Sequence, residues 1–257
     1  MARLAWLGGL AAMAALALLI GLRGQAAASD TASCTQVDGY LSFCLNVPLS
    51  GVRRETSVPL IALSASRADV RVETTVPAAD ATALTTDVDR SVERVEALFG
   101  HAFDPRPRVL LFGTGASFAT AAGELFGYST ATAAYVASTY GGIFDRPTLT
   151  IALNWSASSP ERMSAAIEHE LGHLMIRQLA RGRDVPAWLD EGIATLIEED
   201  ASAAAHWGAD EALVGHAVGS GRIASLRDLG RISDFHAAYA KVGRPLYAYV
   251  ATAVRAM

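Results

Sequence analysis

Two histidines near the middle of the chain have the spacing of a metal site. His169 and His173 enclose the sequence Glu170-Leu171-Gly172, so on a helix they lie on one face, one turn apart. Two imidazoles in this arrangement can bind a single zinc ion, and Glu170 beside them can reach a water molecule held there. The pattern therefore predicts one Zn²⁺ per chain, with His169 and His173 as ligands and Glu170 as the general base.

The apolar residues around this motif support a helix. Ile167, Leu171, Leu174 and Met175 recur at helical spacing. At about 100° per residue they fall on the side of the helix opposite the two histidines. We expect this helix to bury one face in the core and to present metal ligands on the other.

Two neighbouring acids are candidates for the third ligand. A metzincin would carry Gly at position 176 and His at position 179, but the chain has Ile176 and Leu179. The next acids in a helical setting are Asp190 and Glu191, shortly after Pro186, a residue that suits the first turn of a helix.

Helical geometry favours Glu191 over Asp190. Glu191 projects away from the apolar stripe of the second helix, on a face shared with the small residues Ala187, Ala194 and Thr195, whereas Asp190 points about a quarter-turn away. We therefore predict His169, His173 and Glu191 as the metal ligands, with Asp190 as the alternative. The stripe itself consists of Leu189, Ile193, Leu196 and Ile197.

The two motifs together resemble the gluzincin peptidases, the clan of thermolysin and the M1 aminopeptidases, and most of all the bacterial peptidase MA-like domains. The matching residues are His169-Glu-x-x-His173 and Trp188-Leu-Asp-Glu191-Gly-Ile-Ala, within a region of roughly residues 85–257. The resemblance implies a thermolysin-like catalytic core and zinc-dependent hydrolysis of peptide bonds. It also implies an edge strand that borders the substrate cleft, expected at 148–153.

The same resemblance implies a tyrosine that stabilises the transition state. Tyr239-Ala-Lys241 is similar to the Tyr-x-Lys signature of the M1 enzymes, although Val242 stands where Gly usually follows. Tyr247 and Tyr249 are alternatives, and a tyrosine that only packs between helices is as good an interpretation. The Gly-x-Met-Glu-Asn exopeptidase motif is missing from the sequence, which argues against aminopeptidase activity, and the choice between endopeptidase and exopeptidase stays open.

The first 28 residues have the pattern of a signal peptide. Arg3 precedes an apolar run from 4 to 22, and Ala26-Ala27-Ala28 supplies small residues for cleavage before Ser29. The run is also just long enough for a membrane anchor. Either alternative places the rest of the chain outside the cytoplasm.

Cys34 and Cys44 are predicted to form a disulfide. They flank Asp38-Gly39, a two-residue turn signal typical of a hairpin. Two cysteines at this spacing in an exported protein favour a disulfide-closed hairpin over a metal site.

The remaining pattern predicts an α+β fold, with a small mixed sheet packed on the histidine helix and the following glutamate-bearing helix. We expect a signal peptide at 1–28, a small β-rich region at 29–80 and the metallopeptidase domain at 81–257. Within these regions we predict strands near 58–63, 70–75, 108–113, 133–136 and 148–153. Helices are predicted at 87–99 and at 117–125, the second capped by Ser117, and mainly helices are predicted after 160. Residues 77–81 are predicted to be a connection.

Composition limits the partners. The net charge is −5 and no basic stripe is present, which excludes the usual nucleic-acid-binding proteins. A peptide or protein substrate is expected. The alternative is a zinc-stabilised cell-envelope domain that binds or supports other molecules without catalysis.

Overall fold

The computed structural model describes residues 54–257 except 182, 202–206 and 224, together with the two strands of a hairpin, Ser33–Val37 and Leu41–Leu45. The predicted signal peptide and the side chains of the predicted disulfide lie outside the described residues. The hairpin strands, β1 and β2, pair antiparallel in a register that sets Cys34 opposite Cys44. The described chain divides into two compact units, with the boundary between Arg183 and Asp184.

The first unit contains a mixed five-stranded sheet. Its strands stand in the order β3-β4-β5-β7-β6, with β5 parallel to both of its neighbours and the two outer pairs antiparallel. The strands are β3 (Leu60–Leu63), β4 (Asp69–Glu73), β5 (Arg108–Phe112), β6 (Gly142–Asp145) and β7 (Thr150–Asn154). Since β3 and β4 belong to this sheet, the region before residue 80 contributes directly to it.

The two central strands form the core of this unit. Every residue of β5 and of β7 is buried, as expected for strands covered on both faces. Leu110 and Phe112 of β5 pack into a cluster with Phe118 and Leu125. The alternate residues of β5 face the other way and are also buried, so both sides of the sheet are covered.

Four helices surround the sheet: α1 (Ala78–Phe99), α2 (Gly115–Phe126), α3 (Thr130–Thr139) and α4 (Pro160–Leu179). Helix α1 ends at Gly100, which adopts the left-handed conformation (φ 62°) that glycine tolerates best. Helices α2 and α3 pack together, and α1 packs on α4. Helix α4 also contacts β6 and β7, so the histidine-bearing helix lies directly against one edge of the sheet.

The second unit is helical. It consists of α5 (Ala187–Ala201), α6 (Trp207–Gly219), α7 (Ile232–Val242) and α8 (Pro245–Arg255), with a 3₁₀ turn at Leu226–Leu229. Helices α5 and α8 form its most extensive contact. The α+β class and the small mixed sheet are as the sequence predicted, with eight α-helices among the described residues.

Three local predictions were wrong. Residues 133–136 form part of α3 rather than a strand, because Ser129 caps the helix by accepting a hydrogen bond from the Thr132 amide. The cap of α2 is Thr114, while Ser117 completes a capping box three residues later. Residues 78–81 are the first turn of α1 rather than a connection.

The predicted edge strand was also misplaced. The strand at Thr150–Asn154 lies between β5 and β6, so it is an interior strand. The edge of the sheet on the side of α4 is β6, a four-residue strand that the sequence analysis did not predict. Short strands rich in glycine and aspartate carry little periodic signal, which explains the omission.

Candidate metal centre

Helix α4 presents the two histidines as the sequence predicted. Its apolar stripe of Ile167, Leu171, Leu174 and Met175 is almost fully buried. His169 on the opposite face is half-buried, and His173 is 9% exposed. The helix therefore fixes both imidazoles through the packing of its other side.

The geometry of the two rings suits a shared ligand. The Nε2 atoms of His169 and His173 lie 3.2 Å apart, and the ring planes are inclined by 81°. Two nitrogens bound to one tetrahedral zinc at about 2.0–2.1 Å would be about 3.4 Å apart. The observed separation therefore fits two ligands of one ion.

Glu191 completes the donor set. One potential ligand atom from each of His169, His173 and Glu191 lies within 4.8 Å of the others. Among the described residues, these three side chains form the group that could hold a metal ion. Asp190 is also buried, but it is not a member of this group. Two imidazoles and one carboxylate are a donor set that zinc accepts, with room for one further ligand.

Helix α5 holds Glu191 through close packing against α8. A Cβ atom at Gly192 would lie 2.7 Å from the carbonyl oxygen of Val250 and 2.7 Å from a methyl group of Val254. The glycine therefore permits an approach that no larger residue would allow. Thr195 donates a hydrogen bond from its hydroxyl to the backbone carbonyl of Glu191 at 2.7 Å.

Glu170 directly follows His169 in the sequence and is not a member of the group of potential ligands. Its side chain is 7% exposed and lies over the edge strand β6. A Cβ atom at Gly142 would be 3.3 Å from both Cγ and Oε1 of Glu170. The absence of a side chain at Gly142 therefore leaves the space that the Glu170 carboxyl group uses.

A second residue of β6 lies against His173. Phe144, two positions after Gly142 and hence on the same face of the strand, stacks on His173 with a centroid distance of 6.5 Å and an interplanar angle of 13°. One strand thus borders both Glu170 and one candidate ligand. Neither Gly142 nor Phe144 was predicted from the sequence, because the short strand gives no pattern.

An ion pair between a half-buried arginine and a buried glutamate joins α1 to α4. Arg94 contacts Oε2 of Glu168 at 2.9 Å, and Ser91 donates a hydrogen bond to Oε1 of Glu168 at 3.4 Å. Glu168 is buried and directly precedes His169. The pair helps to hold α4 against α1, because displacing Arg94 would leave the buried Glu168 carboxylate without its cation.

Tyr128 is a further group near Glu170. Burial raises its pKa above the ordinary value, and the carboxylates of Asp145 and Glu170 raise it further. Burial likewise raises the pKa of Asp145, although hydrogen bonds from Thr148 and the charge of Arg54 lower it in part. The hydroxyl of Tyr128 therefore stays protonated and can donate a hydrogen bond.

His236 lies within electrostatic range of Glu191. Burial lowers the pKa of this α7 histidine, and the Glu191 carboxylate acts in the opposite direction. In the sequence, His236 has no ligand spacing with another histidine. Only the folding of α7 onto α5 brings it near Glu191.

Tyr239 lies in an aromatic cluster of the second unit. Its ring meets that of Tyr247 at a centroid distance of 5.2 Å, with the planes inclined by 77°. Both belong to the apolar cluster around Phe235 and Leu246. This is the environment of a helix-packing tyrosine, and the catalytic role of Tyr239 stays a prediction.

The comparisons with known proteins add no identification. No family model matches the chain, and neither the curated proteins nor the solved structures contain a significant match. Within the described residues, no helix is both long enough and apolar enough to cross a membrane. The proposed function therefore rests on the site itself.

Proposed function

We propose that this chain is a zinc-dependent peptidase of the gluzincin type, with His169, His173 and Glu191 as the metal ligands. The observation that carries the proposal is the 3.2 Å separation of the two Nε2 atoms, within a group that also contains Glu191. Glu170 directly follows His169 in the sequence. A purely structural zinc site would need no such adjacent carboxylate. A thermolysin-like arrangement of the catalytic core is part of the same proposal.

The proposed chemistry divides between the ion and the chain. When bound, the ion supplies Lewis-acid activation of a water molecule and of the substrate carbonyl. Glu170 accepts the proton of that water at its carboxylate and later delivers it to the nitrogen of the leaving amine. Its position over Gly142 directs the carboxyl group without making it a ligand.

The substrate is proposed to be a peptide or protein, and the chain is proposed to act outside the cytoplasm. Tyr239 is proposed to donate a hydrogen bond to the developing oxyanion. The protonated hydroxyl of Tyr128 lies in the electrostatic surroundings of Glu170, so it is a second group to test for this role.

The proposal is tested by metal-dependent cleavage of a peptide library. The purified chain should carry about one zinc, and mass spectrometry should find new peptide termini after incubation. Chelation should remove both the metal and the cleavage, and added zinc should restore them. A zinc-loaded chain that cleaves no peptide would favour the non-catalytic alternative, and a chain that binds no zinc would exclude both.

A further inference from the structure

A groove of about 810 Å³ lies on the second unit, formed by α7 and the segment from Gly221 that leads into it. Its floor includes the buried Leu229 and the half-buried Ile223 and Ala238. None of the candidate metal ligands lines it. Its volume is in the range of about 300–1,000 Å³ that small-molecule sites occupy.

The groove is positively charged in an acidic protein. Four exposed cations line it, against two acids, although the chain as a whole has a net charge of −5. The cations are Arg222, Arg227, Arg231 and Lys241. A concentration of one sign of charge in a concave surface raises the local concentration of oppositely charged ligands.

The two acids of the groove have local structural roles. Asp228 accepts a hydrogen bond from the Ser225 hydroxyl at 2.7 Å. Asp234 occupies the first turn of α7, where a negative charge stabilises the helix.

Four cations and two acids leave a net charge of +2 on the side chains of the groove. None of the four cations forms an ion pair with any residue whose side chain the structure describes. The groove thus offers its side-chain donors to a ligand.

We propose that this groove binds a molecule carrying a diphosphate or two closely spaced phosphate groups. Three of the four cations are arginines, whose planar guanidinium groups match the oxygen geometry of phosphate. With the two acids counted, the side chains of the groove carry a net charge of +2, which favours an anion, and the four cations supply enough donors for two phosphate groups. A single carboxylate would engage only some of these donors.

Inorganic pyrophosphate is a suitable probe, measured by calorimetry with the full chain. Wild type should bind it saturably at one site, and added salt should weaken the binding because the contacts are exposed. The double variant Arg227→Gln/Arg231→Gln should bind at least 10-fold more weakly. Arg244→Gln removes an exposed cation that does not line the groove and should leave the affinity unchanged.

A metal at the histidine group could also bind pyrophosphate, so His169→Ala is a necessary control. It should keep the wild-type affinity, whether or not the proposed peptidase function holds. If His169→Ala loses binding and the double arginine variant keeps it, the anion binds elsewhere and the proposal is wrong. Equal affinities for the wild type and the double variant would overturn it as well.

The phosphate groups could belong to a soluble molecule or to a lipid headgroup. Flotation with phosphatidylcholine vesicles, with and without phosphatidic acid, separates the two sources. Arginine-dependent flotation with phosphatidic acid supports a headgroup, and pyrophosphate binding without flotation supports a soluble ligand. Failure of both probes to bind would contradict the proposal.

Discussion

At the scale of single residues, one potential ligand atom from each of three side chains, His169, His173 and Glu191, lies within 4.8 Å of the others. His169 and His173 are set by the periodicity of α4, and their Nε2 atoms approach to 3.2 Å. Glu191 belongs to another helix, 18 positions after His173 in the sequence. Its neighbour Asp190 is equally buried, so the two acids are the natural pair of variants for the ligand assignment.

Glu191→Gln is expected to weaken zinc binding, because a neutral amide replaces an anionic ligand. We expect at least a 10-fold loss of affinity, the scale typical of changes around zinc sites, with partial recovery of activity at high zinc. Asp190→Asn is the matched control and should retain most of the metal. Competition with a zinc-binding dye measures both. Loss of zinc in Asp190→Asn, with retention in Glu191→Gln, would reverse the assignment.

At the scale of elements, the edge strand β6 is a neighbour of the histidine-bearing helix α4. Gly142 adjoins Glu170, and Phe144 stacks on His173. The strand thus touches the proposed base and one ligand through residues on the same face. Changes in β6 should affect the base and the metal separately.

Gly142→Ala is expected to slow hydrolysis without releasing zinc. The added Cβ would lie 3.1 Å from a methyl group of Leu153 and 3.3 Å from Glu170, so the Glu170 carboxyl group must shift by a few tenths of an ångström. We expect kcat to fall about 10-fold, because the position of a general base controls its efficiency. Zinc content should match the wild type, because Glu170 is not a ligand.

Gly115→Ala is the control for that substitution. At Gly115 an added Cβ meets nothing closer than 3.8 Å, so kcat and zinc content should both stay near the wild-type values. If Gly142→Ala retains full activity, then β6 does not position the base. Joint loss of zinc and activity would indicate general damage to the site.

Asp89 ties the loop before β4 to helix α1. Its carboxylate accepts hydrogen bonds from the Ser66 amide and hydroxyl and from the Arg67 amide, at 2.7–2.8 Å. Burial raises the pKa of Asp89, but these hydrogen bonds and the charge of Arg67 outweigh burial and hold the pKa below its usual value of 3.8. The ionised form is therefore favoured by folding.

Asp89→Asn is expected to lower the free energy of unfolding near neutral pH by about 0.5–1 kcal/mol, the scale of partly exposed hydrogen bonds to a charge. A carboxylate with a lowered pKa contributes its stability above the unfolded pKa and loses it as the pH falls through the folded value. The difference between wild type and variant should therefore shrink in acid. Urea unfolding across this range measures it, and a difference that grows in acid would contradict the sign.

At the scale of the whole molecule, the sequence predicted what periodicity and a strong motif encode. The histidine helix, its buried stripe and the central strand β5 agree with prediction, because each repeats its pattern over enough residues. Strand β6 and the helix at 130–139 were not predicted, because β6 is short and a capping serine determines where the helix begins. Gly142, Tyr128 and His236 reach their places through tertiary contacts that no local pattern encodes.

The N-terminal segment leads to a prediction about export. The pattern of residues 1–28 predicts cleavage before Ser29, followed by a disulfide between Cys34 and Cys44 in an oxidising compartment. Mass spectrometry of the exported protein should find Ser29 at the N-terminus and a mass two hydrogens lower than that of the reduced chain. An intact N-terminus in the membrane fraction would favour the anchor instead.

The central claim, a zinc peptidase with Glu170 as its base, is tested most directly by Glu170→Gln. The amide has nearly the same shape but cannot accept the proton of the attacking water. The variant should therefore keep about one zinc and lose at least 10²-fold in kcat on any peptide that the wild type cleaves. Cleavage at the wild-type rate by zinc-loaded Glu170→Gln would contradict the account.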